Sequence, residues 1–190
     1  GLWVGQDATP NTLDQAQQAL NKLRDGLQLD TGNPVQLHSC PWCGTALNHT
    51  NYFVSKHLKQ LVVACRQEDC RYRGGLPVYV VDEDLYNRRP TLIIATVDKF
   101  ASLPWREQTL NLFNMGGTGL RTQPRPELII QDELHLISGP LGTLVGLYET
   151  AIDALCTQDG ARPKVIASTA TIRRAGSQVR GLFDREIRQF

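Results

Sequence analysis

The spacing of four cysteines is the feature that most constrains this chain. Cys40 and Cys43 are separated by two residues, Cys65 and Cys70 by four, and 21 residues lie between Cys43 and Cys65. Two short cysteine knuckles of this kind turn the backbone so that four thiolates converge on one tetrahedral zinc ion. We therefore predict a structural Zn²⁺ site formed by Cys40, Cys43, Cys65 and Cys70.

Two other uses of these cysteines are weaker. Two disulfides would suit a secreted protein, but no secretion signal is visible at the start of the chain. A catalytic zinc ion needs an open coordination position, whereas four thiolates fill the shell. His38, His49 and His57 lie near the knuckles and are spare candidates as ligands, and Cys156 is predicted to be a buried apolar residue of a helix.

Composition limits the class of protein. A length of 190 residues suits one domain with or without a small insertion, and 41% hydrophobic and 21% charged residues are typical of a globular chain. No apolar stretch approaches the roughly 18 residues of a membrane span. A net charge of +1 gives no overall electrostatic reason for nucleic-acid binding. We expect a cytoplasmic protein, and the opening "GLWVG" without an initiator methionine favours part of a longer one.

The pattern outside the cysteine-rich segment predicts an α/β fold. A helix is expected after the cap Asn11 or Thr12, with Leu13, Ala16, Leu20 and Leu23 on one face and Gly26 at its end. "TLIIATVDKF", "PELIIQDE" and "PKVIASTAT" are short β-branched runs of the fully buried type, each followed by a polar turn. We predict a partial parallel sheet flanked by helices in residues 1–35 and 75–190, with the zinc module inserted at 36–74.

A helix is also predicted behind the second of these strands. Its apolar stripe recurs at helical spacing and contains Leu141, Leu144, Val145, Tyr148, Ile152 and Leu155.

Two adjacent acids follow the second strand directly. In an open parallel sheet, ligands bind where strands meet their loops at the carboxyl edge. Asp132 is placed there to hold a Mg²⁺-nucleotide, and Glu133 to orient or deprotonate a water molecule. Most isolated Asp-Glu pairs are only the acidic start of a helix. The other motifs of the chain decide between these two interpretations.

Asp132-Glu133-Leu134-His135 and Ser168-Thr169-Ala170-Thr171 resemble motifs II and III of superfamily 2 helicases of the DExH type, in both order and spacing. The resemblance implies a RecA-like motor domain that uses ATP and Mg²⁺. It assigns metal coordination to Asp132, water activation to Glu133, and coupling of nucleotide state to the nucleic-acid site to the remaining motif residues, His135, Ser168, Thr169 and Thr171.

"ATVDKFASL" resembles motif Ib of the same helicases, which grips a phosphate of the tracked strand. The resemblance places Thr96, Asp98 and Lys99 in that turn. Backbone N–H groups at a helix start bind phosphate without reading sequence, which suits such a role. Taken alone, Lys99 is more commonly a solvated surface charge.

The segments "PVYVVDEDLYNRRPTLIIATVDKFA" and "DELHLISGPLGTLVGLYE" are similar to the helicase subunit of the DISARM anti-phage system. This resemblance covers most of the chain from about residue 75 onward. It implies ATP-driven translocation on DNA, either a single strand or a duplex end, and a partner subunit in a defence complex.

The chain departs from the helicase pattern in one respect that matters for mechanism. The phosphate-binding sequence G-x-x-x-x-G-K-[ST] is absent, and the Gly-rich "NMGGTGLRTQ" lacks its lysine. A second RecA-like domain is also absent from the 190 residues. We therefore expect activity of the complete protein and not of this segment alone.

A different class of function uses the zinc module itself. The knuckles could form a nucleic-acid or protein binding module on an inactive α/β scaffold, because aromatic and basic residues are interleaved there, namely Trp42, Tyr52, Phe53, Arg66, Arg71, Tyr72 and Arg73. The competing interpretation, which the small size of the module favours, is that Trp42 packs in its core.

Overall fold

The computed structural model describes residues 1–115, 123–136, 139–169, 175–186 and 188, with the backbone alone at 139–141, 175, 177, 178 and 182. The chain divides into two compact units, Gly1–Ser102 and Leu103–Phe190, which are described in turn. No helix in the described ranges is long and apolar enough to cross a membrane.

The first unit begins with strand β1, Leu2–Trp3, and helix α1, Leu13–Arg24. Thr12 caps α1, because its hydroxyl accepts from Gln15 N at 3.2 Å while Thr12 N donates to Gln15 Oε1 at 3.2 Å. This reciprocal pair satisfies two of the donors that a helix start leaves open. Gly26 follows the helix with a positive φ of 76°. The predicted helix, its Thr12 cap and its end are confirmed.

The cysteine-rich segment contains a hairpin that packs against α1. A 3₁₀ helix, His49–Asn51, leads into strand β2, Tyr52–Ser55, which pairs antiparallel with β3, Gln60–Val63. The buried core joins residues of α1, both strands and the knuckles, including Ala16, Leu20, Tyr52, Leu61, Val63, Cys40, Cys65 and Cys70. The hairpin and the helix therefore stabilise each other. The division into a motor domain and an insertion stays a prediction.

Helix α2, Asp82–Arg88, strand β4, Ile94–Ala95, and a 3₁₀ helix, Val97–Ser102, complete the first unit. Strands β1 and β4 are parallel, with Leu2 opposite Ile94. Trp3 is 1% exposed and packs edge-on against Phe100 at 5.2 Å and Tyr86 at 6.3 Å. Two residues of the opening "GLWVG" thus pair with two residues of the run "TLIIATVDKF".

The second unit contains a 3₁₀ helix, Glu107–Phe113, strand β5, Leu128–Gln131, a 3₁₀ turn, Leu134–Leu136, helix α3, Gly139–Cys156, strand β6, Lys164–Ala167, and helix α4, Ala175–Phe183. Strands β5 and β6 are parallel, and their register places Gln131 opposite Ala167. The chain is therefore a mixed helix and strand protein with small parallel sheets. Its RecA-like arrangement stays a prediction.

The expectation that these strands are fully buried is wrong. Ile94 is 63% exposed, Ile130 is 65% exposed and Ile166 is 45% exposed. Ile130 and Ile166 are register partners and share one face of the β5–β6 pair. The exposure of these side chains shows that the apolar composition of the strands does not result in burial.

Helix α3 has a buried stripe that differs from the predicted one. Val145, Ile152 and Cys156 are buried, which confirms these three expectations, but Leu144 is 52% exposed. Glu149 lies on the same stripe and is only 6% exposed. It makes no hydrogen bond or ion pair with any described residue, and it lines a cavity of about 360 Å³ beside Ile129, Thr150, Asp153, Arg162, Val165, Phe183 and Asp184.

Glu149→Gln is expected to stabilise the protein at pH 8 by on the order of 2 kcal/mol, with little effect near pH 5. Burial raises the pKa of Glu149 to about 7, and the neighbouring Asp153 adds to the shift. Between the unfolded pKa of 4.5 and about 7 the folded state holds the extra proton, so stability falls as pH rises through that window. Urea denaturation at both pH values measures this difference. The exposed Glu107→Gln is the control, and equal effects of the two substitutions at pH 8 would contradict the assignment.

Candidate metal centre and hydrolytic site

The four predicted metal ligands come together in the first unit. Their sulfur atoms all lie within 4.8 Å of one another, with 3.8 Å between Cys40 and Cys70 and 3.6 Å between Cys43 and Cys65. A tetrahedral site with Zn–S bonds of about 2.3 Å has S–S edges of about 3.8 Å. A disulfide needs about 2.05 Å, and all the cysteines are free. The donor set therefore fits a structural zinc ion.

Hydrogen bonds within the two knuckles position these sulfur atoms for metal binding. Gly44 takes a positive φ of 75° and donates its N–H to the Cys40 carbonyl at 2.9 Å, which closes the first turn. In the second knuckle the Tyr72 N–H donates to Cys70 Sγ at 3.4 Å. Hydrogen bonds with the Thr45 hydroxyl, at 3.3 Å, and with the Thr45 backbone are the main causes that lower the pKa of the Cys43 thiol to about 6. Zinc binds the thiolate, so these contacts favour the liganding form.

The hydrolytic candidates come together in the second unit because β5 and β6 end at the same level. Ser168 follows β6 as Asp132 follows β5, and the Ser168 N–H donates to the Gln131 carbonyl at 2.9 Å. The Ser168 hydroxyl donates to Asp132 Oδ1. That bond, with a second from the Glu133 N–H at 3.0 Å, lowers the pKa of Asp132. Asp132 is therefore held as an exposed carboxylate, the form that coordinates a hard cation.

Glu133 and His135 face each other across one turn. Glu133 has a positive φ of 52°, which is uncommon for a residue other than glycine. Its carboxylate is 58% exposed and lies 3.2 Å from His135 Nδ1. Leu134 between them is buried at 1% exposure and donates its N–H to the Ser168 carbonyl at 3.0 Å. The buried leucine anchors the turn while both polar side chains remain accessible to a ligand.

The remaining motif III residues are less fully described. Thr169 is exposed after β6. Thr171 lies outside the described residues, as does most of the Gly-rich segment after Met115. Ser168 links the two motifs, because its hydroxyl donates to the Asp132 carboxylate and its carbonyl accepts from the Leu134 N–H. The roles assigned to all of these residues stay predictions.

The motif Ib turn lies in the first unit and is built around β4. The Thr96 N–H donates to the Trp3 carbonyl at 3.2 Å, and Thr96 and Asp98 are exposed. Lys99 is not a solvated surface charge, so that expectation is wrong. Its side chain is 13% exposed, and its ammonium pairs with Asp82 at 2.5 Å and donates to Asn11 Oδ1 at 3.3 Å. The nucleic-acid role of Thr96, Asp98 and Lys99 stays a prediction.

Trp42 is not in the core of the zinc module, which corrects the interpretation favoured above. The side chain is 59% exposed at the tip of the first knuckle. It contacts the Tyr72 ring edge-on at 5.8 Å, and Arg71 Cζ lies 5.7 Å from its ring centroid. The core position is taken instead by Tyr52, which is fully buried and hydrogen-bonded to Leu37 through its hydroxyl.

Sequence reasoning missed three buried acids, Asp82, Asp84 and Glu149, of which Asp84 accepts a hydrogen bond from the Leu61 N–H at 2.8 Å. Asp82, the partner of Lys99, is 1% exposed and follows the apolar residues Val80 and Val81. Glu149 occupies a core position between Val145 and Ile152 at helical spacing. Asp82 and Glu149 each interrupt an otherwise apolar pattern, and that interruption is the signal that the sequence offers.

Comparison with known proteins identifies a relative of this chain. No protein-family model matches it. The DISARM protein DrmA of Bacillus paralicheniformis is 38% identical over 226 aligned residues, which cover 100% of this chain and 20% of that protein. The chain thus spans about a fifth of the length of the curated relative that it matches. It is a DISARM-related sequence, homologous along its whole length to a segment of the DISARM protein DrmA.

Proposed function

We propose that this chain forms part of an ATP-dependent DNA helicase or translocase that acts in phage defence. The observation that carries the proposal is the hydrogen bond from the Ser168 hydroxyl to the Asp132 carboxylate. It joins two sequence motifs that lie 36 residues apart at the carboxyl ends of two parallel strands. This is where open α/β sheets place their ligand sites. Homology to a DISARM protein supports the defence role.

The proposed chemistry divides between the two acids. Asp132 is ionised because Ser168 and the Glu133 N–H lower its pKa, so it is the residue proposed to hold Mg²⁺. Glu133 presents an exposed carboxylate that orients the attacking water and accepts its proton. Bound Mg²⁺-ATP supplies the phosphoryl group that reacts. His135 contacts Glu133. We propose that it couples the nucleotide state to the nucleic-acid site.

The proposal concerns the complete protein, since the chain spans 20% of the matched relative. We propose that the lysine-containing phosphate loop and the second RecA-like domain lie elsewhere in the complete protein to which this chain belongs. DNA would lie along a track to which the turn of Thr96 and Asp98 contributes exposed side chains. A partner subunit would complete the defence complex.

The proposal is tested by measuring ATP hydrolysis of the complete protein with and without DNA. We expect Mg²⁺-dependent hydrolysis that single-stranded or partly single-stranded DNA stimulates several-fold. Removal of Mg²⁺ with excess chelator should abolish it. A complete, folded protein that binds DNA but does not hydrolyse ATP under any of these conditions would overturn the motor assignment.

A further inference from the structure

We infer that the tip of the zinc module is a binding platform for single-stranded nucleic acid, with Trp42 stacking on a base and Arg71 contacting the backbone. The platform is defined as Trp42, Arg71 and Tyr72. The inference rests on the proposed function, because it assigns a strand contact to the motor at a place outside the helicase motifs.

The zinc ligands hold the platform in place. Trp42 lies between Cys40 and Cys43, while Arg71 and Tyr72 directly follow Cys70. Metal ligation by the adjacent cysteines fixes the backbone of these residues, which reduces the entropic cost of ordering the platform on binding. The indole ring of Trp42 is 59% exposed, whereas that of Trp3 is 1% exposed in the core. An exposed indole beside an arginine provides a stacking surface that is sequence-tolerant.

Arg71 is available to a ligand. Its guanidinium lies 5.7 Å from the Trp42 ring centroid and 6.0 Å from that of Tyr72. It makes no hydrogen bond or ion pair with any residue in the described ranges, so its five N–H donors are unused. Arg66 differs, because it donates to the Thr50 carbonyl at 2.7 Å and supports the fold of the module. Arg71 therefore has the geometry and the free donors that phosphate recognition requires.

The distribution of charge favours a polyanionic ligand. Residues 36–74 contain five of the 20 basic side chains and two of the 19 acidic ones, a formal charge of +3, while the rest of the chain carries −2. Four thiolates on one Zn²⁺ reduce the value for the module to +1, which is still opposite in sign to the remainder. Three of the four histidines, His38, His49 and His57, also lie there. The positive charge of the module thus gives an electrostatic reason for nucleic-acid binding, which the net charge of the chain does not give.

Stacking selects single strands over duplexes, because paired bases do not present their faces. Tryptophan and arginine are also frequent in protein–protein contacts, but the unused donors and positive charge favour nucleic acid here. We expect Trp42→Ala in the complete protein to weaken binding of a dT oligonucleotide roughly 5- to 150-fold, the equivalent of about 1–3 kcal/mol per stacked base. Trp42→Phe should retain most of the affinity, and Arg71→Glu should weaken binding more than Arg71→Lys.

Fluorescence anisotropy with labelled dT and rU oligonucleotides, in the absence of ATP, measures these affinities and separates DNA from RNA preference. Trp105→Ala is the matched control, because Trp105 is 85% exposed outside the zinc module and should leave binding unchanged. Zinc content is measured for each variant, and only zinc-loaded variants are compared. If Trp42→Ala loses zinc, the comparison of Arg71→Glu with Arg71→Lys provides the test. Binding is read without ATP, so the result does not depend on whether the protein hydrolyses ATP. Wild-type affinity in zinc-loaded Trp42→Ala and Arg71→Glu would overturn the inference, as would loss of partner-subunit binding with unchanged affinity for the oligonucleotides.

Discussion

Glu133→Gln in the complete protein is expected to reduce ATP hydrolysis at least about 100-fold while ATP binding persists. Positioned general bases contribute roughly 10²- to 10⁴-fold in rate. Glutamine retains the size and hydrogen-bonding capacity of the side chain but cannot accept the proton of the attacking water. Because Asp132 and Ser168 are unchanged, the proposed metal site remains and the nucleotide should still bind.

Hydrolysis is followed by phosphate release in single-turnover and steady-state assays, and ATP binding by calorimetry with the variant. Glu127→Gln is the matched control, since Glu127 is an exposed acid immediately before β5, at the opposite end of the strand from Glu133. We expect it to hydrolyse ATP at the wild-type rate. Unchanged turnover in Glu133→Gln would remove this residue from the mechanism. Loss of both binding and turnover would instead indicate a role in holding the nucleotide.

One zinc ion per chain is the second expected result, measured by elemental analysis together with a thiol titration under denaturing conditions. We expect five titratable thiols once the metal is removed, because none of the five cysteines forms a disulfide. Cys40→Ser should lose the metal and with it the structure of the hairpin. Structural zinc sites contribute apparent binding energies of roughly 10–16 kcal/mol, as large as the stability of a typical domain.

The consequence of losing the metal extends beyond the knuckles. Cys40, Cys65 and Cys70 belong to the same buried core as Leu20 of α1 and Tyr52 of β2. Metal removal is therefore expected to increase amide hydrogen exchange in β2, β3 and α1 as well. Cys156→Ala, which changes a buried cysteine of the second unit, should keep its zinc. A metal-free chain with one free thiol would mean two disulfides and would contradict the zinc assignment.

Local pattern was sufficient to predict the features of the molecule that depend on neighbouring residues. Turn chemistry and strand order predict the Thr12 cap, the convergence of the four cysteines and the position of Asp132 at the carboxyl end of a strand. The structure contains each of these features. The burial of side chains was less predictable, because it depends on which faces other elements cover. Ile130 has the composition of a core residue and is exposed, whereas Glu149 has that of a surface residue and is buried.

The pairing of Lys99 shows the same limit. Its partner Asp82 lies 17 residues earlier, in an acidic helix start that composition alone would assign to solvent. Similarly, the small size of the module favours Trp42 as a core residue, but Tyr52 is the buried aromatic residue and its hydroxyl bonds to the Leu37 backbone. The sequence does not reveal this backbone contact, so it does not show which aromatic side chain is buried.

The left-handed backbone of Glu133 implies a conflict between folding and chemistry at one position. Glycine would take its φ of 52° without steric cost, whereas a non-glycine residue held there costs on the order of 1–3 kcal/mol. Glycine has no carboxylate, so the residue that best suits the turn is useless for proton transfer. A screen for thermal stability alone should therefore favour replacements at 133 that a screen for turnover rejects. In this turn, stability and activity select different side chains.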